Sequence, residues 1–143
     1  MSDHIVIGLN EMKYGLAIAE IQEIIKILPI TDIPNVPHYI EGVINLRGTI
    51  VPVIGLRARF QLPAREADAS SRIVIVNTAA AEEAIGLLVD NVMQVVPFEE
   101  VLPAPDGVGG GDQSYVKGIG KLDGQLISLL DLSKVLGMGE NGQ

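Results

Sequence analysis

The side chains that could do chemistry in this sequence are Ser70, Ser71, Ser114 and Ser128 as nucleophiles, His4 and His38 as bases, and Asp90 with Asp131 as a carboxylate pair. A serine nucleophile needs a base within hydrogen-bond reach, itself oriented by a third group. No histidine stands near any of these serines in sequence, since His4 opens the chain and His38 sits in a proline-rich stretch. Acid-base work needs two carboxylates flanking one bond. Acidic residues near strand ends more often cap turns or face solvent, and that is the expectation for Asp90 and Asp131. The chain has no cysteine, which removes thiolate and disulfide chemistry, and two isolated histidines do not make the usual metal cluster. The run Gly107–Asp112, GVGGGD, lacks the Gly-Lys-Ser/Thr of a phosphate loop and reads as a mobile linker. The residues therefore point away from an enzyme, with no catalytic group, cofactor or metal expected.

Arg47 is different. Its planar fork suits a carboxylate or a partner backbone, although an arginine in a turn is also at home in solvent. Composition leaves both readings open. A formal charge of −8 and a pI near 4.6 oppose binding to nucleic acid, which draws affinity from lysine and arginine. The opening segment carries an acidic residue and an apolar run, Ile5–Leu9, too short for a signal peptide or a membrane span. A cytoplasmic protein without membrane insertion is expected.

The elements that must position Arg47 begin with Gly42–Phe60, GVINLRGTIVPVIGLRARF. Two β-branched arms meet at Arg47-Gly48, a polar break suited to a tight hairpin. Pro52 cannot donate to a ladder, so its arm is expected at a sheet edge, or bulged, and available for docking. The pattern returns at Gly118–Leu136, aligning without a gap so that Gly42 falls on Gly118, Leu46 on Leu122, Gly48 on Gly124 and Leu56 on Leu132. A second pair lies upstream, with Gly15–Lys26 on Gly86–Pro97. Two pairs in one order argue for an internal duplication, with halves over 4–60 and 72–136 and a polar linker over 61–71. Within the first half, His4–Leu9 reads as a strand, Asn10–Lys13 as a turn and Tyr14–Ala19 as the return. Glu20–Ile27 fits helix and strand alike, and strand is preferred because its counterpart VMQVVP is strongly β-branched. Pro29, Pro34 and Pro37 stiffen an extended connection. Leu56–Phe60 fits one helical turn, Arg72–Asn77 and Ile85–Asp90 fit strands, and a short helix stopped at Gly137 precedes a frayed tail.

The run IPNVPHYIEGVINLRGTIVPVIGLRARF, with YGLAIAEIQEI before it and RIVIVN…IGLLVDNVMQVV after it, closely resembles the CheW-like family of bacterial chemotaxis coupling domains. The resemblance covers nearly all of 1–143 as a single domain. It implies an all-β fold of two small five-stranded, Src-homology-like barrels around a shared hydrophobic core, with short helical segments. It implies a non-enzymatic adaptor joining chemoreceptor cytoplasmic tips to the regulatory domain of the histidine kinase CheA. It also implies recruitment to arrays at the inner face of the membrane, where other family copies are expected to join in rings. The family motif carries a receptor-binding glutamate and arginine onto Glu23 and Arg47, with Ile18, Ile21, Val92 and Val95 around them as a docking groove. It assigns no kinase-contacting residue. The hairpin departs from the family's VIDLR ending, since Gly55 replaces the aspartate while Asp131 keeps it in the second half. Glycine there is expected to loosen the backbone. The same fold serves pilus-driven motility systems, and a small-molecule-binding barrel is the reading from another class; convergent polar groups marking such a pocket are not legible in the sequence.

Overall fold

The computed structural model describes residues 3–77, 83–103 and 115–137. The glycine run Gly107–Asp112, Ser114 and the tail beyond Gly137 lie outside the described residues. Each β-branched run is a strand, because branched side chains pack on a pleated surface. In chain order they are β1 (Asp3–Leu9), β2 (Met12–Ala17), β3 (Ile21–Lys26), β4 (Ile40–Leu46) and β5 (Thr49–Gly55). The helical turn α1 (Leu56–Arg59) follows, then β6 (Arg72–Val76), β7 (Ile85–Val89), β8 (Asn91–Pro97) and β9 (Glu100–Pro103). The hairpin β10 (Val116–Leu122) and β11 (Gln125–Leu130) leads into α2 (Leu132–Leu136), which ends at Gly137 with φ 74°. The return strand β2 stops sooner than its apolar run, and a single 3-10 turn, Ile18–Glu20, hands the chain to the next sheet.

The strands form two sheets, ordered β8-β1-β2-β11-β10-β9 and β3-β6-β7-β5-β4. The all-β class with short helices holds, although the first sheet carries a sixth strand, the exposed edge β9. Both sheets mix strands from the first and second halves of the chain. Alternation along each strand divides the apolar residues among three cores. Val74 and Val76 face a central core with Ile5, Ile7, Leu87 and Leu130, while Ile73 and Ile75 face Ile44, Leu46, Val51 and Val53 inside the second sheet. Val6, Val96, Phe98, Ile127 and Leu129 fill the first sheet in the same way. Two filled sheets thus share a third core between them.

The registers of the two sheets correspond. Val53 lies beside Gly86 in the parallel pair β5–β7, and Leu129 lies beside Gly15 in the parallel pair β11–β2. Both glycines are tight, since a Cβ on Gly15 would meet Leu129 Cδ2 at 2.7 Å and one on Gly86 would meet Ile73 Cγ2 at 2.7 Å. One expectation is corrected. Pro52 does not lie in an edge strand, because β5 runs between β7 and β4. The proline is tolerated there since the β7 ladder begins only at Val53, leaving no donor missing on that side. The outer strand of this hairpin is β4.

Candidate functional site: an ion pair across the sheet ends

The β4–β5 hairpin turns on Arg47 and Gly48 with φ of 53° and 89°, both positive as a two-residue primed turn requires. Asn45 Oδ1 accepts from the Gly48 N–H at 2.8 Å and fixes the turn. The matching hairpin turns on Asp123 and Gly124 with φ of 52° and 78°. In the strand order β3 and β4 stand at opposite ends of their sheet, yet Arg47 reaches Glu23 on β3. Its Nη1 donates to Glu23 Oε1 at 3.2 Å and its Nη2 donates to Oε2, a two-pronged pair that draws the sheet ends together. The hydrogen bond from Arg47 holds the Glu23 carboxyl below its ordinary range. The Arg47 side chain is 65% exposed and that of Glu23 28%, so the guanidinium faces outward.

The four aliphatic residues divide. Ile18 and Val95 are exposed, whereas Ile21 and Val92 are half-buried and pack against the central core. They lie on or beside β3 and β8, outer strands of the two sheets.

The carboxylates behave in two ways. Asp131 caps α2, accepting from the Ser133 and Lys134 N–H groups, as its position near a strand end implies. Asp90 was not legible as anything but a turn residue, and it is buried instead. Arg57 donates to it through Nε and Nη2, each at 2.9 Å, and the Asn10 N–H donates at 2.8 Å. Burial raises the Asp90 carboxyl, but the hydrogen bonds from Arg57 and Asn10 and the charges of Arg57 and Arg65 outweigh it, and the net shift is downward. Arg57 also donates to the Pro63 carbonyl at 2.6 Å, which ties the linker to α1. A sequence clue existed in the arginine that follows two apolar residues at a helix start, but its partner lies far along the chain.

The two histidines, Ser70 and Ser71 have structural roles. His4 is buried with its ring 5.1 Å from that of Phe98, and His38 contacts the Ala58 carbonyl at 3.3 Å. Ser70 and Ser71 shape the Asp68 turn. Gly55 is corrected too. Its backbone is extended at φ −84°, so glycine supplies no special dihedral; it makes room, because a Cβ would overlap the Glu41 carboxylate.

A family model described as the CheW-like domain matches residues 3–140. The chain belongs to the CheW-like family. Among curated relatives it is 34% identical to the chemotaxis protein CheW of Bacillus subtilis over 92% of this chain and 85% of that protein. It is 32% identical to the CheW of Klebsiella aerogenes over 96% of this chain and 83% of that protein. The crystal structure of the scaffolding protein TtCheW from Thermoanaerobacter tengcongensis superposes with a TM-score of 0.85 at 40% identity, covering 94% of this chain and 91% of that one. CheW-like proteins are scaffolds and adaptors rather than enzymes. No helix among the described residues of this CheW-like chain is long and apolar enough to cross a membrane.

Proposed function

We propose that this CheW-like chain couples chemoreceptor cytoplasmic tips to the regulatory domain of the histidine kinase CheA, and that Glu23 and Arg47 form the centre of the receptor-docking surface. The observation carrying this reading is the outward-facing Arg47–Glu23 pair, which joins the turn of the β4–β5 hairpin to β3. A guanidinium already aligned by one carboxylate keeps further donors for a partner's acceptors. Ile18, Ile21, Val92 and Val95 supply aliphatic surface on the neighbouring outer strands, fitting one face of a receptor helical hairpin. Kinase and further copies of the family dock on other exposed faces, placing the protein in arrays at the inner face of the membrane. Many weak contacts suffice there, each about −8 kcal/mol, with avidity supplying the rest.

Titration of the full chain against a receptor-tip fragment and against the isolated kinase regulatory domain tests both halves of the proposal. Arg47→Ala is expected to weaken the receptor fragment about tenfold while leaving kinase binding and the unfolding midpoint in place. Lys121→Ala, on the exposed side of β10, serves as the control. Equal receptor affinity for the two variants removes Arg47 from the surface. Absence of binding to both partners at hundreds of micromolar overturns the coupling reading.

A further inference from the structure

Beside the buried Arg57–Asp90 pair opens a cleft of about 810 Å³, within the range of about 300–1,000 Å³ usual for small-molecule sites. Gly55, Leu88 and Asp90 line it together with Leu62, Ala64 and Ala67 of the linker. Most of the charge in it is already matched. Asp90 is neutralised by Arg57, and Arg65 stands 3.8 Å from Asp90 and 3.6 Å from Asp68. Glu66 is also unmatched among the described residues but is exposed, which leaves Glu41 as the withdrawn carboxylate. This lining residue is half-buried, and among the described residues its carboxylate accepts no hydrogen bond and meets no cation. It is laid against Gly55, in the space a Cβ would take. A carboxylate partly withdrawn from water without a partner favours a cation that brings its own donors. The alanine and leucine walls favour an aliphatic stem behind that cation.

We propose that this cleft binds a small organic cation, a guanidino or amino group on a short aliphatic stem, with the Glu41 carboxylate as its counter-ion. The site is separate from the Arg47–Glu23 surface, so its occupancy is measured without receptor or kinase. Gly55 is then the residue that creates the site, since it lets Glu41 lie across the cleft floor. That gives a physical reason for glycine at a position where Asp131 caps the matching helix.

Agmatine is the probe, and 1-pentanol is its uncharged counterpart of similar stem. Titration of the isotopically labelled full chain, followed by amide resonances, is expected to shift Gly55, Leu62, Ala67 and Leu88 together and to saturate at millimolar agmatine. Glu41→Gln is expected to keep the dispersed spectrum and weaken agmatine about tenfold, with 1-pentanol unaffected. Gly55→Ala, which pushes the Glu41 carboxylate aside, is the second variant and loses affinity likewise. The proposal is overturned if no resonances move at about 10 mM agmatine. It is equally overturned if the shifts scatter over the acidic surface, or if 1-pentanol matches agmatine. Undiminished binding in both variants overturns it as well.

Discussion

Asp90 joins segments that lie far apart in the chain. It gathers Arg57 at the start of α1, the Asn10 amide in the β1–β2 turn and, more distantly, Arg65 of the linker. Side chains of 15% and 10% exposure leave little solvent to screen the Arg57–Asp90 pair, and removing one partner strands the other. Asp90→Ala is expected to cost about 2–4 kcal/mol in urea unfolding, and Arg57→Ala in the Asp90→Ala background much less than alone. A double-mutant cycle reads that coupling, and simple additivity would mean that the two residues act independently. The pH dependence follows from the downward shift. Asp90 titrates below its ordinary 3.8 in the folded protein, so its contribution is present above that value and is lost as pH falls through the lower folded value. Asp90→Asn is expected to flatten the fall in urea midpoint between about pH 5 and about pH 3, and an unchanged slope would assign the acid sensitivity to other groups.

At the scale of elements, the hairpin turns carry the sharpest constraints. Gly48 at φ 89° has nothing within 4 Å of a built Cβ, so Gly48→Ala meets dihedral strain alone. A cost of about 1 kcal/mol is expected, read as a shift in midpoint with an unchanged denaturant slope. Outside the turns, Gly42 within β4 at φ 144° is worse placed, because its Cβ would overlap the Thr31 carbonyl that bridges to Val43; Gly42→Ala is expected to exceed Gly48→Ala several-fold in cost. These turns were legible because a primed turn demands particular residues at adjacent positions, and the strands were legible because Val and Ile crowd into them. Glu23 and Arg47 were found through the resemblance, not through spacing, since nothing local brings β3 to the hairpin. Pro52 misled because one missing donor identifies an unpaired residue, not an unpaired strand. Arg59 escaped altogether. It lies 4.2 Å from the Tyr39 ring and 5.1 Å from the Tyr115 ring and donates to the Val135 and Lys134 carbonyls at the end of α2, contacts that join distant segments. Asp90 escaped for the same reason, as a long-range partner leaves no periodic trace.

At the scale of the whole molecule, we propose that the chain is a duplication of one unit, over 4–60 and 72–136, whose copies have exchanged strands. The support is the matched registers at Gly15 with Leu129 and Gly86 with Val53, and the mixed origin of both sheets. The β1–β2 hairpin is completed by β8 and β11, while β3, β4 and β5 are completed by β6 and β7. Neither half is then a folding unit. Fragments 1–66 and 67–143 are each expected to give the circular dichroism of an unfolded chain, and a mixture of the two to regain strand signal; a fragment that folds alone would count against exchange. The same interleaving sets the order of events during synthesis. The first hairpin leaves the ribosome with both of its outer strands lacking neighbours, and the later of those neighbours, Gln125–Leu130, is translated only after all the strands of the second sheet. At about 5–20 residues per second the wait is on the order of ten seconds. Throughout it, the apolar face of Ile5, Ile7 and Leu9 lacks the neighbours that cover it in the fold, so this hairpin is expected to settle only once Gln125–Leu130 arrives.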